Sequence, residues 1–227
     1  MTEQKTKALT RRELVQLGAI TAAGVAVSGG LRFFKSVGRD LGMTPAVAAL
    51  LADSDAPVGG NPLGDVTIVV YTDYHCPACR AANHALQPIL ASDSGVRVMF
   101  KDWPIFGEPS RKAARWAIAS DEQRIYGRVH DRLMRSLGQI DQSVVESAVQ
   151  SAGGEWARLD NTLKDTATRI DNMLVRHASE AFSLGLRGTP GFLVGSVLVN
   201  GLLTETEFEN LVADARALRL SIHIRKS

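Results

Sequence analysis

The chain contains two cysteines, and they lie three residues apart in the sequence Cys76-Pro77-Ala78-Cys79. An apolar, β-branched run precedes them at residues 66–71, and a run with helical character follows from Arg80. A C-x-x-C pair between a strand and a helix is typical of a dithiol that cycles between thiol and disulfide. The first cysteine would lie at a helix N-terminus, where free amide N–H groups and the helix dipole favour negative charge. Because the thiolate is the reactive form, the pattern predicts that Cys76 is a nucleophile.

Two other roles for the cysteine pair fit the sequence less well. A structural zinc site needs four ligands, and the chain has no second C-x-x-C or H-x-x-H pair. His75 adjoins the motif and His84 would lie about two turns along its helix. A purely structural disulfide would close a very short loop and constrain little of the unfolded chain. We therefore interpret Cys76–Cys79 as a redox-active disulfide, and expect neither a metal nor a cofactor.

Length and composition predict one globular core with appendages. The chain has 227 residues, of which 45% are apolar. Its net charge is +2, and the basic residues form no extended patch, which argues against nucleic-acid binding. The basic pair Arg225-Lys226 is expected to belong to a solvated tail, residues 220–227.

The N-terminal segment has the pattern of an export signal. Basic side chains come first, at Lys5, Lys7, Arg11 and Arg12, and an uncharged stretch follows from Leu14 to Gly30. The run from Thr10 to Val15 resembles a twin-arginine signal. A membrane anchor with the domain outside is the alternative for residues 1–30. Either way, the sequence predicts a periplasmic or otherwise extracytoplasmic protein, where disulfides persist.

Residues 31–60 have the composition of a connector. A charged start leads to Pro45, where Thr44 is a candidate cap for a short helix from Pro45 to Leu51. A turn-rich stretch with several prolines and glycines follows from Asp53 to Gly64. The short helix has two alternatives, which are to pack on the domain or to pair with other subunits in a homo-oligomer.

The domain itself begins with a β-α-β pattern. Val66–Thr72 is an almost continuous apolar run, which is typical of a central strand buried on both faces. The helix of the cysteine motif follows, and Val96–Phe100 predicts a second strand parallel to the first. The chain is then expected to leave the sheet at Lys101.

A long helical block comes next, and the chain then returns to strand. Four helices are predicted: one capped by Ser110, one over residues 121–137, one that opens at Asp141, and one over residues 156–182. Two short apolar runs, Phe192–Val194 and Val197–Val199, flank Gly195-Ser196 and predict a hairpin. A capping box, Thr204-x-x-Glu207, begins the last helix.

These residues resemble those of the DsbA-like thiol:disulfide oxidoreductases, which are exported bacterial proteins. The resemblance is carried by residues 65–79, by Phe100–Ile105 and by Gly188–Phe192, and it extends over residues 55–216. It implies an α/β, thioredoxin-like fold with a helical domain inserted between the second and third strands. The corresponding boundaries are residues 61–103 and 187–219 for the thioredoxin-like domain and residues 104–186 for the insertion.

The resemblance also implies a role for the Thr189–Pro190 step. The bond would be cis and would face the dithiol, since an X–Pro bond adopts the cis form at small energetic expense. Pro190 has no N–H to place beside the sulfurs, and the backbone of Thr189 could pair with an extended substrate. Taken without the motif, the proline would be an ordinary turn residue before a strand.

The sequence departs from the family pattern in two places. Many relatives keep a buried acid six positions before the first cysteine, and Val70 stands there. Asp73, or Lys101 on the neighbouring strand, could tune charge or proton transfer, although each could equally be a solvated charge. The second departure is Pro77-Ala78, because Ala78 cannot donate a side-chain hydrogen bond to the thiolate as a histidine would. His75 either compensates for this or faces solvent.

The function expected from these features is disulfide formation in unfolded or partly folded exported proteins, with a membrane redox partner that recharges the dithiol. One alternative is an isomerase or reductase, made oligomeric by residues 31–52. Another is an exported copper- or zinc-binding protein that uses the same cysteines. A glutathione-dependent transferase on the same fold is disfavoured by the export signal.

Overall fold

The computed structural model describes residues 37–224, with side chains up to Arg219. The predicted export signal or anchor at residues 1–30, the start of the connector and residues 225–227 lie outside this range. Within it, no helix is long and apolar enough to span a membrane.

A six-stranded sheet forms the centre of the molecule. Its strands are β1 (Arg39–Asp40), β2 (Val58–Gly60), β3 (Val66–Thr72), β4 (Val96–Asp102), β5 (Gly191–Val194) and β6 (Val197–Asn200), in the spatial order β1-β6-β5-β3-β4-β2. β3 pairs in parallel with β4, and the other pairings are antiparallel. β3 is a central, buried strand, as its continuous apolar run predicted.

Seven α-helices accompany the sheet in the described part of the chain. They are α1 (Pro45–Leu51), α2 (Pro77–Ser92), α3 (Glu108–Ala119), α4 (Tyr126–Arg135), α5 (Gln142–Ser151), α6 (Trp156–Leu184) and α7 (Glu205–Ile224). Two short strands, β1 and β2, precede the strand that the sequence predicted as the first. The helical insertion α3–α6, expected between the second and third strands, therefore lies between β4 and β5 in the observed numbering. The α/β, thioredoxin-like fold with an inserted helical block is therefore confirmed.

The two faces of the sheet pack into two separate cores. Side chains alternate between the faces of a strand, so Ile68 and Val70 lie on one face and Val69 and Tyr71 on the other. The first face packs with α2, α7 and the helical insertion, and its core includes both cysteines. The second packs with α1 and the C-terminal part of α6. The cysteine motif thus belongs to one face only.

The predicted connector contributes to the domain. β1 pairs with β6, β2 pairs with β4, and Val47 of α1 is buried in the second core. Thr44 caps α1 as predicted, because its hydroxyl accepts a hydrogen bond from the Val47 amide at 3.3 Å. Of the two alternatives for α1, the structure shows packing on its own domain.

Three element boundaries differ from the sequence predictions. β4 continues through Lys101 and Asp102, which pair with β3, so the prediction that the chain leaves the sheet at Lys101 was wrong. α3 begins at Glu108 after Gly107, and Ser110 is not its cap. The helix predicted over residues 121–137 is a 3₁₀ turn followed by α4, because Arg124 adopts a left-handed conformation with φ of 57°. The helix predicted to open at Asp141 does so, with the Asp141 carboxylate as its cap, and the capping box predicted at Thr204 is confirmed.

Candidate active site

The two cysteines lie at the N-terminus of α2, directly after the loop that leaves β3. Cys76 is the N-cap residue, with extended backbone angles, and Pro77 occupies the first turn. Proline suits this position because its fixed φ matches the helix and no intrahelical partner exists for an N–H there. Both cysteines are free thiols, with 4% of Cys76 and 2% of Cys79 exposed. The structure therefore shows the dithiol form of the predicted pair.

The environment separates the two thiols electrostatically. A hydrogen bond from the Cys79 thiol lowers the pKa of Cys76 to about 6, against the opposing effect of burial. The backbone N–H groups of Cys79 and Ala78, at the start of α2, lower it further. Burial raises the pKa of Cys79, and its hydrogen bond to Cys76 adds to the rise. The pair thus consists of one thiol that ionises easily and one that holds its proton.

This asymmetry makes a direct prediction for titration. We expect one thiolate to form with a midpoint near pH 6, because only Cys76 is stabilised as an anion. The rate of attack on a small disulfide should rise with pH through the same midpoint and then level off. Ultraviolet absorbance of the thiolate measures the first quantity, with Cys76→Ala as the control that should lack the transition. A midpoint close to that of free cysteine would contradict the prediction.

The Thr189–Pro190 loop lies against the dithiol. The bond between these residues is cis, as the resemblance implied. The Cys76 thiol donates a hydrogen bond to the Thr189 carbonyl oxygen, with 3.4 Å between sulfur and oxygen. The Thr189 hydroxyl is buried and has no hydrogen-bond partner in the described structure, yet it helps to lower the pKa of Cys76. A buried hydroxyl of this kind is available to the thiolate when it forms.

Asp73 holds the loops around the motif together. Its Oδ1 accepts hydrogen bonds from the His75 amide and the Ser110 hydroxyl, both at 2.7 Å. Its Oδ2 accepts from the amides of Ile105, at 2.7 Å, and Phe106, at 3.2 Å. With four donors on one buried carboxylate, the geometry favours a positioning role for Asp73 over proton transfer.

His75 is oriented by the same group of residues. Its Nδ1 lies 3.3 Å from the Ser110 hydroxyl oxygen. Because Ser110 donates its proton to Asp73, the oxygen can accept from Nδ1–H, which assigns the ring proton to that nitrogen. His75 is half-buried and contacts Ser110 of α3, so its side chain does not point freely into solvent.

The structure does not bring Lys101 to the dithiol. Its side chain is 0% exposed and lies on the second face of the sheet, with Tyr71. Its ammonium group contacts the Asp53 carboxylate closely and lies 2.8 Å from Glu180. Pro77 is exposed and Ala78 is half-buried at the start of α2, so both remain part of the site through their backbone positions.

Sequence reasoning missed a second group of polar residues near the dithiol. Tyr74, Asp102, Tyr126 and His130 are all buried on the first face of the sheet. They are joined by hydrogen bonds, and His130 and Cys79 line the same small cavity. The spacing of Tyr126 and His130, four residues apart on a predicted helix, is the one sequence signal that could have indicated a buried polar pair.

Metal binding is the alternative role for the two cysteines and a neighbouring histidine. Between residue 37 and the end of the described side chains, no group of three or more histidine, cysteine or acidic residues is arranged to hold a metal ion. His75 is engaged with Ser110, and His84 is an exposed residue on α2.

Comparisons with known proteins agree with this geometry. The family model described as Thioredoxin matches residues 53–214. A thioredoxin-like oxidoreductase from Silicibacter pomeroyi is 35% identical with a TM-score of 0.69, and the match covers 74% of this chain and 96% of that one. A periplasmic thioredoxin-like protein from Salmonella enterica serovar Typhimurium is 26% identical with a TM-score of 0.67, over 78% and 99% of the two chains.

A third structure shares the fold at lower identity. The thiol-disulfide exchange protein alpha-DsbA2 from Wolbachia pipientis is 24% identical with a TM-score of 0.69, over 74% of this chain and 93% of its own. No curated protein sequence gives a significant match. Since the family model matches more than half of the sequence, the chain belongs to the thioredoxin family. Within it, the 35% identical neighbour is a thioredoxin-like oxidoreductase, and the helical insertion between β4 and β5 and the dithiol have the arrangement that the DsbA-like sequence resemblance implied.

Proposed function

We propose that this protein is exported and forms disulfide bonds in unfolded or partly folded proteins outside the cytoplasm. The observation that carries the proposal is the difference between the two thiols: the pKa of Cys76 is lowered to about 6, while that of Cys79 is raised. A sulfur that is stable as a thiolate is a good leaving group, and a disulfide that contains it is easily reduced. The Cys76–Cys79 disulfide should therefore be readily given to a substrate.

The exchange proceeds in two steps that balance in electrons and protons. A substrate thiolate attacks the Cys76 sulfur of the oxidised enzyme, the Cys76–Cys79 bond breaks, and Cys79 leaves and takes up a proton. A second substrate thiolate then attacks the substrate sulfur of the mixed disulfide and releases the Cys76 thiolate. The substrate has lost two electrons and the enzyme has gained them. A membrane redox partner would then remove these electrons and restore the disulfide.

Recognition of unfolded chains is supported by the surface around the motif. Ile105 and Phe106 are exposed apolar residues, and their amides are bound to Asp73 beside the motif. Leu202 is also exposed, and it follows Gly201, whose amide donates to the Pro190 carbonyl. Exposed apolar side chains that border a reactive group mark an interaction site. The Thr189 backbone beside Cys76 would pair with an extended segment of the substrate.

An extracytoplasmic location is supported by two observations. The N-terminal sequence has the pattern of an export signal, and one structural neighbour is a periplasmic thioredoxin-like protein. In this proposal residues 1–30 act as an export signal that is removed or as a membrane anchor that is kept. The isomerase or reductase alternative, with a homo-oligomer formed through residues 31–52, uses the same dithiol in the opposite direction.

Trapping of covalent intermediates tests the proposed function. In a Cys79→Ala variant, the Cys76 thiolate can still attack a disulfide of an exported protein, which breaks that bond and releases one substrate sulfur as a thiolate. No neighbouring thiol can resolve the resulting mixed disulfide, so adducts with exported proteins should accumulate. Adducts are detected on non-reducing gels and identified by mass spectrometry. The Cys76→Ala, Cys79→Ala double variant is the control and should trap nothing. If wild type oxidises a dithiol peptide but Cys79→Ala yields no adducts, protein substrates are excluded.

The redox state of the wild-type protein decides the direction of exchange. A disulfide-forming enzyme should be isolated from the extracytoplasmic compartment with Cys76 and Cys79 joined as a disulfide. An isomerase or reductase should be isolated with both cysteines as thiols. The reduction potential, measured against glutathione, gives an independent answer.

A further inference from the structure

The proposed exchange requires Cys79 to release and regain a proton inside the protein. Cys79 is buried, and burial raises its pKa, so its thiol does not ionise spontaneously at neutral pH. Val70 occupies the position where an acid could have served and is itself buried against apolar neighbours. Asp73 is nearby, but its carboxylate already accepts four hydrogen bonds. Another group must therefore accept the proton.

A small cavity connects Cys79 to the buried polar residues. It is lined by Cys79 and His130, together with Thr72, Asn83, Pro190 and several apolar side chains. The space open to the centre of a water molecule is about 10 Å³, which is close to the minimum for one water. The cavity thus offers a proton a path from the sulfur to the imidazole.

The hydrogen bonds beyond His130 form a chain with a single direction. Tyr126 donates to Asp102 Oδ2 at 3.0 Å, and Tyr74 donates to the Tyr126 hydroxyl at 3.3 Å. The Tyr74 oxygen, 2.9 Å from His130 Nδ1, is then left to accept the Nδ1 proton. This assignment leaves the lone pair of the imidazole on Nε2. Every donor in this series of hydrogen bonds has an acceptor, and the series ends at the Asp102 carboxylate.

We propose that Asp102 is the proton acceptor for Cys79, reached through Tyr126, Tyr74 and His130. The inference rests on the proposed function, because only disulfide exchange requires Cys79 to change its protonation. As the Cys79 sulfur attacks Cys76, its proton passes to His130, the Nδ1 proton moves to Tyr74, the Tyr74 proton to Tyr126, and the Tyr126 proton to Asp102. The new bond is Cys76–Cys79, and the thiolate of the other partner leaves. The reverse sequence returns the proton when Cys79 is the leaving group.

The surroundings of Asp102 suit a group that gains and loses a proton. Its Oδ1 is buried and has no hydrogen-bond partner among the residues that the structure describes, so the charge of the carboxylate is incompletely compensated. Burial raises its pKa to about 7, against the lowering effects of the hydrogen bond from Tyr126 and of the neighbouring Tyr74 hydroxyl, and the charge of Asp73 adds to the rise. A group with this pKa can both accept and donate at neutral pH.

Titratable groups surround Asp102 and His130 from four elements. Tyr126 on α4 and Tyr74 and Asp73 in the loop after β3 act on Asp102, and His130 on α4 contacts both tyrosines. His177 on α6 contacts the Asp102 carbonyl through Nδ1 at 3.1 Å, and Cys79 on α2 lines one cavity with His130. Burial lowers the pKa of both His130 and His177 to about 3, so both imidazoles are neutral at rest. At Asp102, by contrast, burial raises the pKa of the carboxyl to about 7.

A chromogenic disulfide reagent can separate the functions of the two cysteines, because each attack on it releases one coloured thiolate. Reduced protein is mixed with one equivalent of a bis(nitrobenzoate) disulfide. The first release reports attack by Cys76, and the second reports attack by Cys79 on the mixed disulfide. In Asp102→Asn and in Tyr126→Phe, the second release should slow by about tenfold to a hundredfold at neutral pH. The first should stay within about twofold of wild type, and the deficit in the second should shrink as pH rises and solvent takes the proton.

Tyr71→Phe is the matched control, because it removes a buried tyrosine hydroxyl on the other face of the sheet. Both of its releases should match wild type. Tyr126→Phe preserves the shape of the side chain and serves if Asp102→Asn fails to fold. A second release that is unchanged in Tyr126→Phe, or slowed equally at every pH, overturns the relay. If wild type shows no first release, the proposed function itself fails.

Discussion

Replacement of Cys76 by serine should reduce disulfide exchange to the uncatalysed rate. A hydroxyl cannot enter a disulfide, so neither the enzyme disulfide nor the mixed disulfide can form. The side chain is nearly isosteric, and a serine hydroxyl can keep the hydrogen bonds that Cys76 makes with Thr189 and Cys79, so we expect the free energy of unfolding to change by about 1 kcal/mol or less. The rate at which the oxidised protein converts a two-cysteine peptide to its disulfide measures the loss.

Cys79→Ser is the matched control for this prediction. It should also lose turnover, but it keeps the thiol at position 76, so it should react once with a small disulfide and remain as a stable adduct. Its Cys76 pKa should be shifted less than in Cys79→Ala, because serine can still donate a hydrogen bond to the thiolate. If Cys76→Ser forms the adduct and Cys79→Ser does not, the roles assigned to the two cysteines are reversed.

The second large effect concerns stability and Lys101. Replacement by alanine should destabilise the protein by about 3–5 kcal/mol at neutral pH, which is typical when one partner of a buried ion pair is removed. Lys101 is fully buried between Asp53 and Glu180, and the nearest other cation, Arg176, lies 3.5 Å from Asp53 and 3.8 Å from Glu180. The variant would leave two partly buried carboxylates with this single cation. Urea unfolding at neutral pH measures the change.

Lys164→Ala provides the matched control for Lys101. It removes an exposed lysine from an i,i+4 pair with Asp160, and such pairs contribute about 0–0.5 kcal/mol. The effect at Lys101 should also depend on pH. Burial raises the pKa of Asp53, but the hydrogen bond and charge of Lys101 with the charge of Arg176 lower it below 3.8 overall. The stabilisation by Asp53 is therefore present above about pH 4 and is lost as pH falls through its lowered pKa. A loss below about 1 kcal/mol at neutral pH would contradict the prediction.

A second variant, Lys101→Met, tests an expectation drawn from the sequence. Lys101 follows Phe100 in a strand beside the motif, so a role in tuning the dithiol was reasonable from sequence alone. In the structure it lies on the opposite face of the sheet, and its partners are Asp53 and Glu180. We therefore expect the pKa of Cys76 to be the same in wild type and in Lys101→Met, as measured by thiolate absorbance.

Features encoded by neighbouring residues could be predicted from the sequence. The apolar run of β3, the C-x-x-C step into α2, the cap at Thr44, the helix start at Asp141 and the capping box at Thr204 all depend on residues within a few positions of one another. The Thr189–Pro190 step was assigned through the family resemblance, because 113 positions separate it from Cys76 and no local pattern relates the two. Fold class and the reacting sulfurs could thus be predicted.

What only the tertiary structure decided is which distant polar residues meet in the interior. Lys101 and Asp53 are separated by 48 positions, and Asp102 and Tyr126 by 24, with different elements between them. A sequence pattern reports burial and periodicity, whereas a buried charge or hydroxyl takes its properties from the partners that the fold places around it. The sequence by itself therefore determined the thioredoxin-like fold and the nucleophile, and the packing of α4 and α6 against the sheet determined which groups surround them.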